Sequence, residues 1–178
     1  FDQLLIWLPT FRKHAYEHNR HDGAEAGNPF YIPDFDVEQF NAILKAKNSF
    51  CFVKPHPMAV KYAQENGFSQ IRFIDDAWIS DHGLSLYHLL GCTDVLISDV
   101  SSVVIDSLLM DQSILCVSVD FEAYKKTRGF YFEDIENWLP GTVIQSQEAF
   151  FEVLEKLLTE KSDQQEERRQ RLKNAFFT

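Results

Sequence analysis

The chain is 178 residues long, with 45% hydrophobic and 25% charged residues, and its 17 basic and 27 acidic side chains leave a formal charge of −10. Phe, Leu, Ile and Val are spread along the whole length, which excludes a disordered chain and allows a core that needs neither disulfides nor a structural metal. The longest apolar runs, such as 4–8, fall far short of the roughly 20 residues a bilayer-spanning helix requires, and the acidic balance argues against a general nucleic-acid binder, whose affinity rests on Lys and Arg at phosphates.

The first residue is Phe1 and an apolar run opens at Leu4, with no basic leader or signal peptide. So abrupt a start predicts a piece of a larger protein. Residues 4–8 read as a strand closed by Pro9. The polar stretch 13–33, rich in His, Asn, Gly and Glu, reads as a long surface loop. Residues 36–47 place Val37, Phe40, Ile43 and Leu44 at helical spacing, with Asp34 or Asp36 as the cap. Residues 50–54 are a short buried strand stopped by Pro55, and 58–66 a helix stopped by Gly67. A strand at 71–74, a short helix at 84–90, a strand at 95–98, a helix at 101–110 and a strand at 114–117 follow. Residues 143–144 form a short last strand before an amphipathic helix at 147–158, with Phe150, Phe151, Leu154 and Leu157 on one face. Residues 160–173 are charged and helix-prone and read as a solvated helix, with Leu172, Phe176 and Phe177 as the groups that would dock on a partner domain. The division is a domain at 1–160 and a charged helical tail at 161–178.

The strands are continuous apolar runs and not period-two patterns, as a parallel sheet covered on both faces demands. The expected fold is α/β, a doubly wound parallel sheet of Rossmann type in the order 3-2-1-4-5-6. Ligands of such sheets bind beyond the carboxyl ends of the strands, near the switch point. Cys51, Cys92 and Cys116 are widely spaced in apolar contexts and match no metal-ligand pattern. They read as small core residues in a reduced, cytosolic setting.

Four turns carry chemistry. In 95–102 a strand runs into small polar residues and then a helix, so Ser101 and Ser102 add hydroxyls to unpaired first-turn N–H groups. That suits a phosphate oxygen; plain capping by Asp99 or Ser101 is the competing reading. No Lys or Arg lies between Arg72 and Lys125, so local sequence charge would not do this work. Asp106 lies four residues beyond Ser102 on the same helix face and reads as structural, bonding to a neighbouring loop. At Lys54-Pro55-His56-Pro57 two prolines stop the strand, placing His56 at the sheet edge, where imidazole can stabilise a leaving phosphate or merely be held in a turn. Leu8-Pro9-Thr10-Phe11-Arg12 offers a hydroxyl and a guanidinium fork suited to phosphate, or an ordinary surface arginine. Tyr124 to Tyr131 mixes basic and aromatic groups, with Arg128 beside Gly129 where backbone can approach a ligand; an ordinary exposed loop is the alternative. His14, His18 and His21 have metal-like spacing but no carboxylate or cysteine partner, and no metal is assigned. GxGxxG, GxxxxGK[ST] and GxSxG patterns are absent.

These pieces, with Asp94 to Asp106, Arg128-Gly129-Phe130-Tyr131 and Pro140-Gly141, occur in an order and rough spacing that resembles the CDP-glycerol glycerophosphotransferase family of teichoic-acid and capsule polymerases and primases. The resemblance covers about 4–158. Two positions depart from it: Val100 where the family usually has Tyr, and Thr142 where it often has Pro. It implies a GT-B enzyme of two Rossmann-like domains, of which this chain is the carboxyl-terminal, donor-binding one. It implies that His56, Ser101 and Ser102 face the donor pyrophosphate; Thr10, Arg12, Lys54, Asp106, Arg128 and Gly129 are the further candidate donor-binding groups of this sequence. The general base belongs to an amino-terminal acceptor domain outside this chain. The implied partners are a CDP-polyol donor, which is a substrate and not a cofactor, and a polymer or lipid-linked acceptor; no nucleic acid is implied. The implied location is cytoplasmic, peripheral at the inner face of the membrane. A nucleotide-sugar glycosyltransferase of the same architecture and a non-catalytic envelope-assembly module are the alternatives.

Overall fold

The computed structural model describes residues 1–9, 30, 32–55, 67–99, 101–119, 121–122 and 134–177. Strands β1 (Gln3–Leu8), β2 (Ser49–Val53), β3 (Ile71–Phe73), β4 (Val95–Ser98), β5 (Ser113–Val117) and β6 (Thr142–Ile144) form one sheet in the order β3-β2-β1-β4-β5-β6. Every pairing is parallel. The doubly wound order expected from the sequence is the one observed.

Alternate residues of the central strands enter two cores. Leu5, Trp7, Val95, Ile97, Leu115 and Val117 point to one face, and Ile6, Leu8, Leu96, Ile114 and Cys116 to the other. Both sets are buried, which is why these strands read as unbroken apolar runs. Helices α1 (Val37–Ala46) and α6 (Gln147–Glu160) cover the first face with Phe40, Ile43, Leu44, Phe150, Phe151, Leu154, Leu157 and Leu158. Trp7 centres that core, with the rings of Phe30, Phe35, Phe40 and Phe150 at 4.9, 5.4, 5.6 and 5.0 Å. The polar stretch expected as a loop thus ends by burying Phe30 and Ile32; its remaining residues before Pro33 lie outside the described ones.

Asp36, not Asp34, caps α1, its Oδ1 accepting the Gln39 N–H at 2.8 Å. Ser146 caps α6 through the Ala149 N–H. The second face is covered by α2 (Asp76–Asp81), α3 (Leu86–Gly91), α4 (Val103–Asp106) and a 3₁₀ helix at Ser107–Met110. Helix α2 is an element the sequence reading omitted; Asp75 caps it by accepting the Trp78 N–H at 2.7 Å, and Ile79 is its buried anchor. The helix expected at 101–110 is one α-turn that tightens to 3₁₀, ending at Asp111 with φ 53°. Ser107 lies at the join, its hydroxyl donating back to the Val103 carbonyl at 2.8 Å. The helix expected at 58–66 lies outside the described residues.

A short helix, α5 (Ile135–Trp138), precedes the Pro140-Gly141 turn. A Cβ on Gly141 would lie 2.7 Å from the Ile114 carbonyl carbon and closer still to its oxygen. The turn therefore requires glycine for its approach to β5, at the amino edge of the sheet.

The tail departs from the solvated helix expected of it. Helix α7 (Glu166–Phe177) buries Leu172 and sets Phe176 against Trp138 at 5.6 Å. Arg168 donates to the Glu136 carbonyl and Arg171 to that of Asn137 at 3.1 Å. Lys173 pairs with Asp111 at 3.0 Å. Leu172 and Phe176 thus pack on this domain, and Phe177 stays partly exposed. Among the cysteines, Cys51 and Cys116 are core residues as expected; Cys92 is exposed, at the end of α3, because it follows the last buried turn. No helix among the described residues is long and apolar enough to cross a membrane.

Candidate active site at the sheet's switch point

The strand order reverses between β1 and β4, the switch point beyond whose carboxyl strand ends sheets of this kind bind ligands. Leu8 pairs with Ser98 on one side of β1, and Trp7 with Val53 on the other. The buried Ser98 hydroxyl donates to the Leu8 carbonyl at 2.6 Å. The Lys54 N–H donates to the Trp7 carbonyl at 3.0 Å. Pro9, Lys54-Pro55 and Asp99 therefore all leave neighbouring strand ends at one rim, and Ser101 and Ser102 follow Asp99 by two and three residues in the chain.

Four of the sequence-derived site residues are described. Lys54 has a mostly buried side chain, 14% exposed, whose Nζ lies 3.0 Å from Asp76 Oδ1 in the first turn of α2. Its ammonium is thus shared with an acid that the sequence reading did not pair with it. Ser101 is half-buried, and its Oγ accepts the Val103 N–H at 3.4 Å. Ser102 is exposed and occupies the N-cap position of α4 without a side-chain capping bond. Ser101 is therefore the weak capper of the two, and the Ser102 hydroxyl is not committed to capping. A single α-turn has little macrodipole, so at the serine turn itself the polar groups on offer are hydroxyls and turn N–H groups.

Asp106 accepts a hydrogen bond from the Tyr87 phenol of α3 at 2.9 Å. That bond and the carboxylate's charge raise the Tyr87 pKa above its ordinary value. Tyr87 is a residue the sequence reading missed; a lone aromatic in an acidic stretch carries no spacing signal. Asp94, the first acid of the 94–106 segment, is a structural staple whose Oδ2 accepts the Leu4 N–H at 2.7 Å. Thr10, Arg12, His56, Arg128 and Gly129 lie outside the described residues, as do His14, His18 and His21. Among the described residues no three His, Cys, Asp or Glu side chains group as metal ligands.

A family described as CDP-Glycerol:Poly(glycerophosphate) glycerophosphotransferase matches residues 2–178. The chain belongs to this family. The glycerophosphotransferase relatives include the teichoic acid ribitol-phosphate polymerase TarK of Staphylococcus aureus, 29% identical over 153 residues, covering 86% of this chain and 27% of the relative. The teichoic acid glycerol-phosphate primase of Bacillus spizizenii is 35% identical over 128 residues, covering 71% of this chain and 28% of that one. Among solved structures, the wall teichoic acid polymerase TagF superposes with a TM-score of 0.70 at 21% identity, over 97% of this chain and 38% of its own. The shared architecture is α/β, a parallel sheet with helices on both faces. The chain spans between about a quarter and two-fifths of the length of these glycerophosphotransferase-family proteins.

Proposed function

We propose that this chain is the donor-binding domain of a transferase that moves glycerol phosphate, or a related polyol phosphate, from a CDP-linked donor to a hydroxyl of a cell-envelope polymer. Family membership over 2–178 supplies the reaction class. The observation that carries the site is the adjacency of three strand ends on one rim: β1 at Leu8, β2 at Val53 and β4 at Ser98. The relatives are named as glycerol-phosphate and ribitol-phosphate enzymes, so either polyol suits the donor.

In this reading Ser101 and Ser102, with the N–H groups of their turn, hold the donor pyrophosphate. His56 and Arg12 offset the charge that builds on the leaving phosphate, and Thr10, Arg128 and Gly129 complete the donor contacts. Lys54, buttressed by Asp76, adds positive charge to the rim. The acceptor oxygen forms a bond to the β-phosphorus as that phosphorus loses its bridging oxygen. CMP leaves, and the acceptor proton passes to a base outside this chain. Catalysis of this kind is positioning and charge stabilisation. The location that fits is the cytoplasm, at the inner face of the membrane where the polymer grows.

Titration calorimetry of the chain with CDP-glycerol, CDP-ribitol, CMP and UDP-glucose tests this. Weak CDP-donor binding without turnover is expected. Binding of the UDP-sugar alone would select the glycosyltransferase reading. No binding of any nucleotide at millimolar concentration would select the assembly module, and transfer by this chain alone would contradict a base supplied from elsewhere.

A further inference from the structure

The serine pair stands on a single α-turn that its own capping bonds hold weakly. Ser101 Oγ meets the Val103 N–H only at 3.4 Å, and the Ser102 side chain makes no capping bond. The inner side of the turn is anchored by buried Val104 and by the Ser107-to-Val103 bond. On the outer side Asp106, four residues beyond Ser102 and on its face of the turn, accepts the Tyr87 phenol. The Asp106 N–H also donates to the Ser102 carbonyl at 3.3 Å, so the two positions are coupled through the backbone.

Tyr87 belongs to a separately fixed element. Helix α3 starts with a reciprocal capping box between Ser85 and His88 and buries Leu89 and Leu90. The Tyr87 ring is 54% exposed, so its hydroxyl is not a core group. The chemistry of the partner matters as well. A phenol occupies one oxygen of the Asp106 carboxylate while remaining neutral.

We propose that Tyr87 is a positioning residue for the donor site: its hydrogen bond to Asp106 fixes the turn that presents Ser101 and Ser102 to the donor phosphates. This rests on the donor-site reading above. It assigns to α3 a function in the reaction that residues 95–106 do not contain by themselves.

Tyr87→Phe, Asp106→Asn, Asp106→Ala and the double variant Tyr87→Phe/Asp106→Ala, each in the full chain, test the proposal. CDP-glycerol affinity, thermal midpoint and amide exchange of residues 101–110 without ligand are measured. Tyr87→Phe is expected to weaken CDP-glycerol binding roughly threefold to tenfold and to speed exchange at 103–107, with a midpoint within about 2 °C of the parent. Asp106→Asn keeps an oxygen that accepts from the phenol and should retain the parent exchange pattern. Asp106→Ala should match Tyr87→Phe, and the double variant should be no worse than either, because one bond is lost in all three. Unchanged affinity and exchange in Tyr87→Phe, or additive losses in the double variant, overturn the proposal. If the parent chain binds no CDP-glycerol the donor-site reading fails, and the exchange data still decide whether Tyr87 orders the serine turn.

Discussion

The hydroxyl of Ser98 donates to the carbonyl of Leu8 at 2.6 Å, bridging β4 and β1 at their carboxyl ends, where the strand order reverses. Both residues are buried, so no water replaces the lost donor when it is removed. Ser98→Ala should cost about 1–3 kcal/mol. For a domain of this size that is a fall of roughly 2–10 °C in thermal midpoint, readable by calorimetry. A midpoint unchanged within error would show that the bond contributes nothing net.

The serine pair should separate binding from stability. Ser102 is exposed and Ser101 half-buried, so alanine at either should leave the thermal midpoint nearly unchanged. Hydrogen bonds to a charged phosphate contribute about 1.5–3 kcal/mol, so donor affinity should fall about tenfold to hundredfold. Calorimetric titration with CDP-glycerol measures the loss. Full affinity in the doubly substituted chain would remove both residues from the donor site.

Thiol chemistry should single out Cys92. Burial raises the Cys51 thiol pKa and pushes that of Cys116 up to about 12, whereas Cys92 is exposed. Only thiolates react readily. A disulfide reagent at pH 8 should titrate one thiol in the native chain and three in denaturant, and none in native Cys92→Ser.

The same burial gives stability a defined pH slope. Unfolded thiols ionise near pH 8.5, while the two buried ones remain protonated in the fold. The unfolded state then binds fewer protons, so stability is full below about pH 8.5 and falls above it, by up to about 2.7 kcal/mol per pH unit for two thiols. Thermal midpoints at pH 8 to 10 should fall less steeply in the doubly substituted Cys51→Ala/Cys116→Ala chain than in the parent. Parallel slopes would contradict this assignment.

Among the described glycines, Gly141 should tolerate an added methyl least. The added carbon would press on the Ile114 backbone, which cannot yield without disturbing the pairing of β5 with β6. A loss of at least about 3 kcal/mol is expected. It would appear as insoluble protein or as a midpoint lowered by roughly 6 °C or more.

The sheet was legible because its central strands are buried on both faces. An apolar run such as Val95 to Ser98 has no polar alternation to blur its limits, and β4 coincides with the expected strand. Helix α6 was equally plain, since five aromatic and leucine side chains fall on one face. Helix α2 was missed because its six residues bury only Ile79, and the Asp75-Asp76 pair that starts it reads as loop. The break in the 101–110 helix turns on where the Ser107 hydroxyl points, which periodicity does not encode. The docking of the tail was hidden in the same way: Leu172 and Phe176 are two apolar positions among many charges, and its arginines bind carbonyls with no sequence signature. For the site, the strand ends that meet at the rim followed from the fold, whereas Asp76 beside Lys54 and Tyr87 beside Asp106 come from helices whose orientation only three dimensions supply.

The Ile114 N–H at the start of β5 donates to Asp163, and Arg169 of α7 holds that carboxylate in turn. The final dozen residues therefore complete the wiring of a central strand. A shortened version ending at Glu160 would strip that amide of its acceptor and lay bare the bed of Leu172, so a minimal folding unit for expression or crystallisation should extend through Phe177.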